Sequence, residues 1–371
     1  MSGLTASDLL VRAGQLGPFL SDRLVAWQHQ EGRHHLPWQL SREPYRVWLS
    51  EIMLQQTQVT TVLGYFDRFL KRFPDVQALA AAPLDEVLTL WSGLGYYSRA
   101  RNLHRCAQEV VARFEGYFPR TAAELETLPG IGPSTAAAVA AFCAQERISI
   151  MDGNVKRVLS RVLGWEQDLS LRANEQALWA AAQVLLPARS SDMPAYTQGL
   201  MDLGATLCTP RKPACLGCPW SDACEGRRMG DPARLPVKTR KLKRSQRESW
   251  WLCLQWQGQV WLEQMPDKGV WAGLWTLPLF DDEAGLLGLL NLLGPDAMAQ
   301  MGTLPRLKHV LTHLDWYLNP RNVTLQTVEE AAQMAMLLRD RAPSGASGRW
   351  VPVAELGQWG LPAPLRKQLQ G

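Results

Sequence analysis

Four cysteines fall within 17 residues, Cys208, Cys215, Cys218 and Cys224, in the spacing C-x6-C-x2-C-x5-C. Thiolates this close usually hold a metal centre, and the stretch around them must then wrap whatever they bind. Four free thiols are the bland alternative. Structural zinc is a rival, because zinc sites made of four cysteines are common. Zinc ribbons usually show two separated C-x2-C pairs and this stretch has one, so spacing alone leaves zinc and iron–sulfur open. A disulfide framework is disfavoured. Met1 to Arg12 shows no basic start, apolar core and small-residue cleavage site, so we read no secretion signal and expect a cytoplasmic protein with reduced thiols. The other cysteines, Cys106, Cys143 and Cys253, sit in apolar surroundings and read as plain buried residues.

The chain is 371 residues long, which makes two domains the natural reading. With 20% charged and 46% hydrophobic residues it is an ordinary globular composition, which excludes disorder, collagen and coiled coil as overall descriptions. No apolar run reaches the roughly 18 residues that span a bilayer, so no membrane partner is expected. The net charge of +4 looks mild for a nucleic-acid binder, but its distribution is uneven. Residues 1–228 carry 23 basic and 22 acidic side chains, 229–249 carry 7 against 2, and 250–371 carry 9 against 11. The excess sits between Arg234 and Arg247.

Residues 5–228 read mostly as helices. Val47, Ile52, Leu54, Val59, Val62 and Leu63 keep helical spacing, as do Leu84, Val87, Leu88 and Trp91. Ser134 to Ala144 is Ala-rich, suited to a helix packed closely on a neighbour. Pro232, Pro236 and dense Lys/Arg make 229–248 an exposed basic linker, with Lys238, Arg240, Lys241, Lys243 and Arg244 expected along a duplex. Beyond it the texture changes. Trp250–Trp256, Gln257-Gly258 and Gln259–Met265 read as a hairpin, Val270–Phe280 and Arg306–Leu318 as further strands, and Glu283–Leu293 as a helix. Six Trp lie between Trp250 and Trp275, and sheet core explains them better than stacking on nucleic acid. The expected domains are thus 1–228, 229–248 as linker, and 249–371 as an α+β domain.

Leu128-Pro129-Gly130-Ile131-Gly132-Pro133 lies between two helical patterns. Its glycines allow a tight turn whose outward N–H groups, at Gly130, Ile131 and Gly132, suit a DNA phosphate; a plain helix–helix turn is the alternative. Asp152-Gly153-Asn154 follows about twenty residues later. By itself, Asp152 reads as a helix N-cap.

Leu-Pro-Gly-Ile-Gly, an Asp twenty residues on, then the cysteine spacing, in that order, resembles the helix–hairpin–helix DNA glycosylases that carry a [4Fe–4S] cluster. Within them the chain most resembles the MutY family of adenine DNA glycosylases, over nearly its whole length. The likeness is densest at Leu36-Pro37-Trp38, Pro44 to Val59, Trp91 to Asn102 and Met151 to Val158. It implies a mainly α catalytic region, a six-helix barrel with helix–hairpin–helix and iron–sulfur subdomain, followed by a smaller α+β Nudix-like domain. It tips the metal toward iron–sulfur on Cys208, Cys215, Cys218 and Cys224. The implied partner is double-stranded DNA containing adenine opposite 8-oxoguanine or guanine, bound by a monomer associated with the nucleoid.

The chemistry fits the residues. Adenine leaves as an anion unless protonated at its imidazole nitrogen, and departure builds a sugar cation that a carboxylate stabilises. By resemblance Glu51 is the acid and handles the water, and Asp152 faces the sugar. Asn154 holds Asp152 or the water. Glu51 sits in an otherwise apolar helix, where desolvation raises its pKa. Relatives that also cut the backbone carry a Lys after the hairpin; here Ser134 stands there, and a hydroxyl forms no Schiff base. A monofunctional glycosylase is implied, with Lys156 touching DNA and capturing ring-opened product adventitiously. Gln55, Gln56 and Tyr96 match residues that enter the duplex at the lesion.

Residues 249–371 resemble the family's lesion-reading domain and lack the Glu-rich Nudix signature, so no pyrophosphatase activity is expected. Where relatives read Phe-Ser-His, this chain has Leu311-Thr312-His313. A metal pair at His309 and His313 is disfavoured. A bifunctional pyrimidine or thymine mismatch glycosylase and a non-catalytic lesion-binding scaffold are the alternatives. Ser134 counts against the bifunctional one, the extra domain and the Glu51 segment against both enzymes, and the presence of Glu51 with Asp152 against the scaffold.

Overall fold

A computed structural model describes residues 4–239, 243–341 and 347–370. Contacts divide the chain into two compact units: Met1–Ala80 with Arg105–Lys241, and Ala81–His104 with Leu242–Gly371. Residues 81–104, which sequence order assigns to the first domain, therefore belong to the unit of the C-terminal domain.

The first unit is helical. It contains α1 (Ala6–Glu31), α2 (Pro44–Leu54), α3 (Val59–Arg72) and α4 (Val76–Ala81). Two helices follow in sequence, α5 (Leu84–Trp91), which is in the second unit, and α6 (Ser98–Phe114). Then come α7 (Ala122–Leu125), α8 (Pro133–Ala144), α9 (Gly153–Leu163), α10 (Arg172–Val184), α11 (Met193–Thr206) and the single turn α12 (Glu225–Arg228).

Local rules set these helices. Thr5 and Asp8 form a capping box at the head of α1. Asp152 caps α9 by accepting from the Val155 amide at 2.7 Å, and Gly164 closes it in the left-handed region at φ 66°. A Cβ at Gly164 would lie 2.8 Å from Glu225 Cβ, so glycine is required there both by φ and by space. Ala136 to Ala141 of α8 are all buried. The helix has no polar stripe, and its small side chains let α2 and α11 approach closely. Leu159, Leu163, Leu178, Tyr196 and Trp220 complete a core shared by α9, α10, α11 and the cysteine loop.

The expected exposed linker is docked at its start. Leu235 is buried, and its carbonyl accepts from Arg161 Nε at 3.0 Å. Val237 O accepts from the Leu169 amide at 3.0 Å, and Arg234 pairs with Glu166. An apolar anchor inside the basic run thus overrides its charge. Arg240 and Lys241 lie outside the described residues. The basic run also ends earlier than expected, because a strand begins at Ser245.

The second unit is a mixed sheet with helices. β1 (Ser245–Trp256) and β2 (Gln259–Gln264) form the expected hairpin. Its turn at Gln257-Gly258 has φ 46° and 74°. β3 (Trp275–Thr276) and β4 (Leu279–Phe280) are short, so most of the expected 270–280 strand is turn. There follow α13 (Glu283–Asn291), α14 (Pro295–Ala299), β5 (Gly302–Thr303), β6 (Leu307–Val310), β7 (Leu314–Thr324), α15 (Val328–Arg341), β8 (Gly348–Pro352) and α16 (Ala363–Gln370). The sheet runs β3-β2-β1-β7-β5, with β4 on β1, β6 on β7 and β8 on β2. β1 and β7 run parallel from Ser245–Leu314 to Gln255–Thr324. The expected 306–318 strand is two strands, because a tight turn at Leu311–His313 reverses it. Trp251, Trp261, Trp271 and Trp275 are buried, as expected of sheet core. His309 lies against Trp271 at 5.7 Å between ring centroids, consistent with a packing role.

Candidate active site and cluster loop

Glu51 stands on α2, in a helix whose neighbours Ser50, Ile52 and Met53 are buried. It lines a cavity of about 210 Å³ together with Leu36, Trp38, Gln39 and Ser50. Arg33, Gln198 and Met201 form part of the same wall. Burial, and secondarily the charge of Asp152, pushes the Glu51 carboxyl from 4.5 up to about 8. It is therefore protonated at neutral pH, while its side chain still faces the cavity. A larger hollow of about 410 Å³ lies around Tyr45, Tyr117 and Cys143 and does not include Glu51.

Asp152 heads α9 half-buried, so its role as N-cap and its approach to Glu51 coexist. The backbone before it is held from α8: the Met151 amide donates to Ser134 Oγ at 3.0 Å. Ser134 is thus a structural acceptor for the backbone that precedes Asp152. Asn154 is held from its own helix. Its Oδ1 accepts from Arg157 Nη2 at 2.8 Å, and no bond to Asp152 is present among the described hydrogen bonds. Arg157 in turn donates to Gly204 O at 2.7 Å and to Cys208 O at 2.8 Å. The helix carrying Asp152 is thereby tied to the start of the cysteine loop.

Lys156 is paired with Glu175 at 2.6 Å, with both side chains largely covered, so it is not a free amine. The hairpin has Gly130 at φ 77° and Gly132 as the N-cap of α8. Ile131 is buried, so its side chain anchors the turn. Gln55 Nε2 donates to Thr135 Oγ1 at 3.3 Å, beside that helix start. Gln56 and Tyr96 share a backbone signature that sequence reading did not detect. Both are non-glycine residues at positive φ, 55° and 48°. Such strain persists where the surroundings enforce it, and it often marks function.

The Tyr96 turn is built into the second unit. Ser92 Oγ donates to Leu361 O at 2.7 Å, and Arg101 Nη1 donates to Ala272 O at 2.6 Å. Tyr96 Oη lies 2.5 Å from Thr312 Oγ1, so two residues 216 apart in sequence meet. Thr312 and His313 are exposed on the β6–β7 turn, and Leu311 closes it by donating its amide to Leu314 O at 2.8 Å.

Two residues of the cavity wall escaped sequence reading. Arg33 Nε and Gln198 Nε2 both donate to Asp202 Oδ1 at 2.8 Å, and Asp202 is fully buried. The spacing of Gln198 and Asp202, four apart on one helix, was the available signal.

Cys208, Cys215, Cys218 and Cys224 line one hollow with Arg161 and Arg227. No cysteine is in a disulfide. Burial pushes the Cys218 thiol up to about 12 and raises the Cys224 thiol as well, while the Trp220 amide at Cys218 and the Arg227 and Gly226 amides at Cys224 act in the opposite direction. Among the described residues no three His, Cys, Asp or Glu side chains group as a single ion would need. Four sulfurs that line one hollow can together hold a cluster. Of the remaining cysteines, Cys106 and Cys253 are buried as expected and Cys143 is half-buried.

Residues 49–183 match the HhH-GPD superfamily of base excision DNA repair proteins, and residues 249–371 match the NUDIX domain. An adenine DNA glycosylase of Buchnera aphidicola subsp. Schizaphis graminum is 33% identical over 350 residues, covering 94% of this chain and 97% of that protein. The chain belongs to the adenine DNA glycosylase family. The adenine DNA glycosylase of Homo sapiens is 44% identical over 222 residues, covering 57% of this chain and 40% of that protein. A thermostable thymine-DNA glycosylase of known structure shares the helical fold, with a TM-score of 0.52 and 26% identity over 58% of this chain and 98% of that one. Residues 208–224 match the iron–sulfur binding domain of endonuclease III, a match that starts on Cys208 and ends on Cys224. The cofactor of this adenine DNA glycosylase family member is accordingly the [4Fe–4S] cluster, and zinc is set aside. No helix among the described residues is long and apolar enough to cross a membrane.

Proposed function

We propose that this chain removes adenine placed opposite 8-oxoguanine or guanine in duplex DNA, hydrolysing the N-glycosidic bond and leaving an abasic site. One observation carries the reading: a carboxyl pushed up to about 8 in a cavity, with a second carboxylate near enough to add to that shift. A proton-donating carboxyl with a second carboxyl beside it is the pair this chemistry needs.

The target adenine leaves the stack and enters the Glu51 cavity. Neutral Glu51 gives its proton to the purine imidazole nitrogen, so the base departs as a neutral molecule. The Asp152 carboxylate faces the sugar cation. Water adds to the sugar carbon, and the Glu51 carboxylate takes the released proton, which restores the acid. Gln55, Gln56 and Tyr96 occupy the space left in the duplex, and the Gly130–Gly132 turn holds a phosphate. Leu311, Thr312 and His313 read the 8-oxoguanine side. Cys208, Cys215, Cys218 and Cys224 hold the cluster, which when bound supplies a rigid fold to its loop.

The chain leaves the sugar–phosphate backbone intact. Ser134 brings no amine to the sugar, and Lys156 is engaged by Glu175. A single-turnover assay on duplexes with A opposite 8-oxoguanine, A opposite G, and T opposite G tests all of this. Adenine release from the first two without strand scission is the expected result. Thymine release, or scission trapped by borohydride without Lys156, overturns the reading.

A further inference from the structure

Arg161, on α9, is the most deeply buried arginine of the first unit among the described residues, at 1% exposed. Each of its three guanidinium nitrogens donates, and among the described hydrogen bonds none goes to a carboxylate. Nε donates to Leu235 O at 3.0 Å, Nη1 to Thr209 O at 2.7 Å and Nη2 to Pro210 O at 2.8 Å. Nη1 also approaches Cys208 O and Cys208 Sγ, both at 3.4 Å. One turn earlier on α9, Arg157 is 9% exposed and likewise bonds to neutral oxygens alone.

The acids in and around the loop are engaged elsewhere. Glu225 pairs with Arg12 and Arg228, Asp222 with Arg23 and Arg227, and Asp202 with Arg33. Carbonyl oxygens satisfy the guanidinium's hydrogen bonds but do not cancel its charge. A buried cation without a counter-charge is strongly unfavourable. Arg161 lines the hollow of the four cysteines. Four thiolates around a [4Fe–4S] cluster carry net negative charge, which no carboxylate could share without repulsion.

We propose that Arg161 is the buried counter-ion of the cluster: its charge holds the cluster in place and sets its reduction potential, in addition to stapling the loop through Cys208, Thr209, Pro210 and Leu235. The dependence is mutual. The cluster neutralises Arg161, and Arg161 offsets the cluster. A cation beside the ligand sulfur favours the more negative, reduced form, so its removal moves the potential downward.

The test uses the loaded, full-length protein as wild type, Arg161→Met and Arg161→Lys. Two readouts are independent of glycosylase activity: the midpoint potential from film voltammetry, and the rate at which an iron chelator bleaches the visible absorption. Arg161→Met is expected to show a more negative potential and about 10-fold or faster bleaching, the scale on which a group hydrogen-bonded to a metal ligand acts. Arg161→Lys keeps the charge but loses the fork, and is expected to retain the wild-type potential. If Arg161→Met matches wild type in both readouts, the proposal fails. Where Arg161→Met purifies without cluster, Arg161→Lys decides. A loaded Lys variant at the wild-type potential supports the counter-ion. A Lys variant that loads poorly or has a shifted potential reduces Arg161 to a structural staple and overturns it.

Discussion

Ser134 Oγ accepts the Met151 amide at 3.0 Å, so the first turn of α8 fixes the backbone one residue before Asp152. Met151 is buried, and its amide would otherwise lack a partner. Ser134→Ala should cost about 1 kcal/mol of stability. It should also slow adenine release by roughly tenfold or more, because small misplacements of a reacting group are costly. Ser134→Thr, which keeps the acceptor, should lie much closer to wild type. Thermal melts and single-turnover rates on the three proteins check this, and an unchanged Ala rate would show that Asp152 needs no such tether.

The contact between Tyr96 and Thr312 joins the strained Gly93–Tyr97 turn to the β6–β7 turn, the proposed reader of 8-oxoguanine. Thr312→Val keeps the shape and removes the hydroxyl. It should weaken binding of duplexes with 8-oxoguanine by up to about tenfold, the scale of one hydrogen bond. Thr312→Ser should bind like wild type. Equal affinities for the Val and Ser variants would dissociate the two turns.

Glu51 gives a pH signature in stability as well as in rate. Its carboxyl is held near 8 in the folded chain against 4.5 in the unfolded one, mainly by burial. The folded state thus binds the proton more tightly. The stability this contributes is fully present below about pH 4.5 and is lost as pH rises through 8. Glu51→Gln cannot ionise, so it should melt higher than wild type at pH 8 to 9, by an amount equivalent to at least about 1 kcal/mol. The two should converge toward pH 4.5. Parallel melting curves across that range would mean that Glu51 is not held protonated.

Much of the site was legible because its signals are local. The cysteine spacing, the Leu128 to Pro133 turn and the Asp152 cap are each written in a few adjacent residues. The placement of residues 81–104 was not legible. It depends on Ser92, Tyr96 and Arg101 bonding to Leu361, Thr312 and Ala272, and no periodicity encodes such distant pairs. Charge density misled the reading of the linker. Leu235 and Val237 dock it through one buried side chain and two backbone carbonyls, a signal too sparse to outweigh dense Lys and Arg. The Lys156–Glu175 ion pair was not legible either, because Glu175 lies on the next helix.

The central claim is that Glu51 delivers the proton on which adenine departs. Its most direct measurement is single-turnover adenine release from a duplex with A opposite 8-oxoguanine, for wild type and Glu51→Gln, with binding of the same duplex followed in parallel. The account predicts release by wild type, declining as pH rises through about 8, and no release by Glu51→Gln despite undiminished binding. Release by Glu51→Gln at the wild-type rate would contradict it.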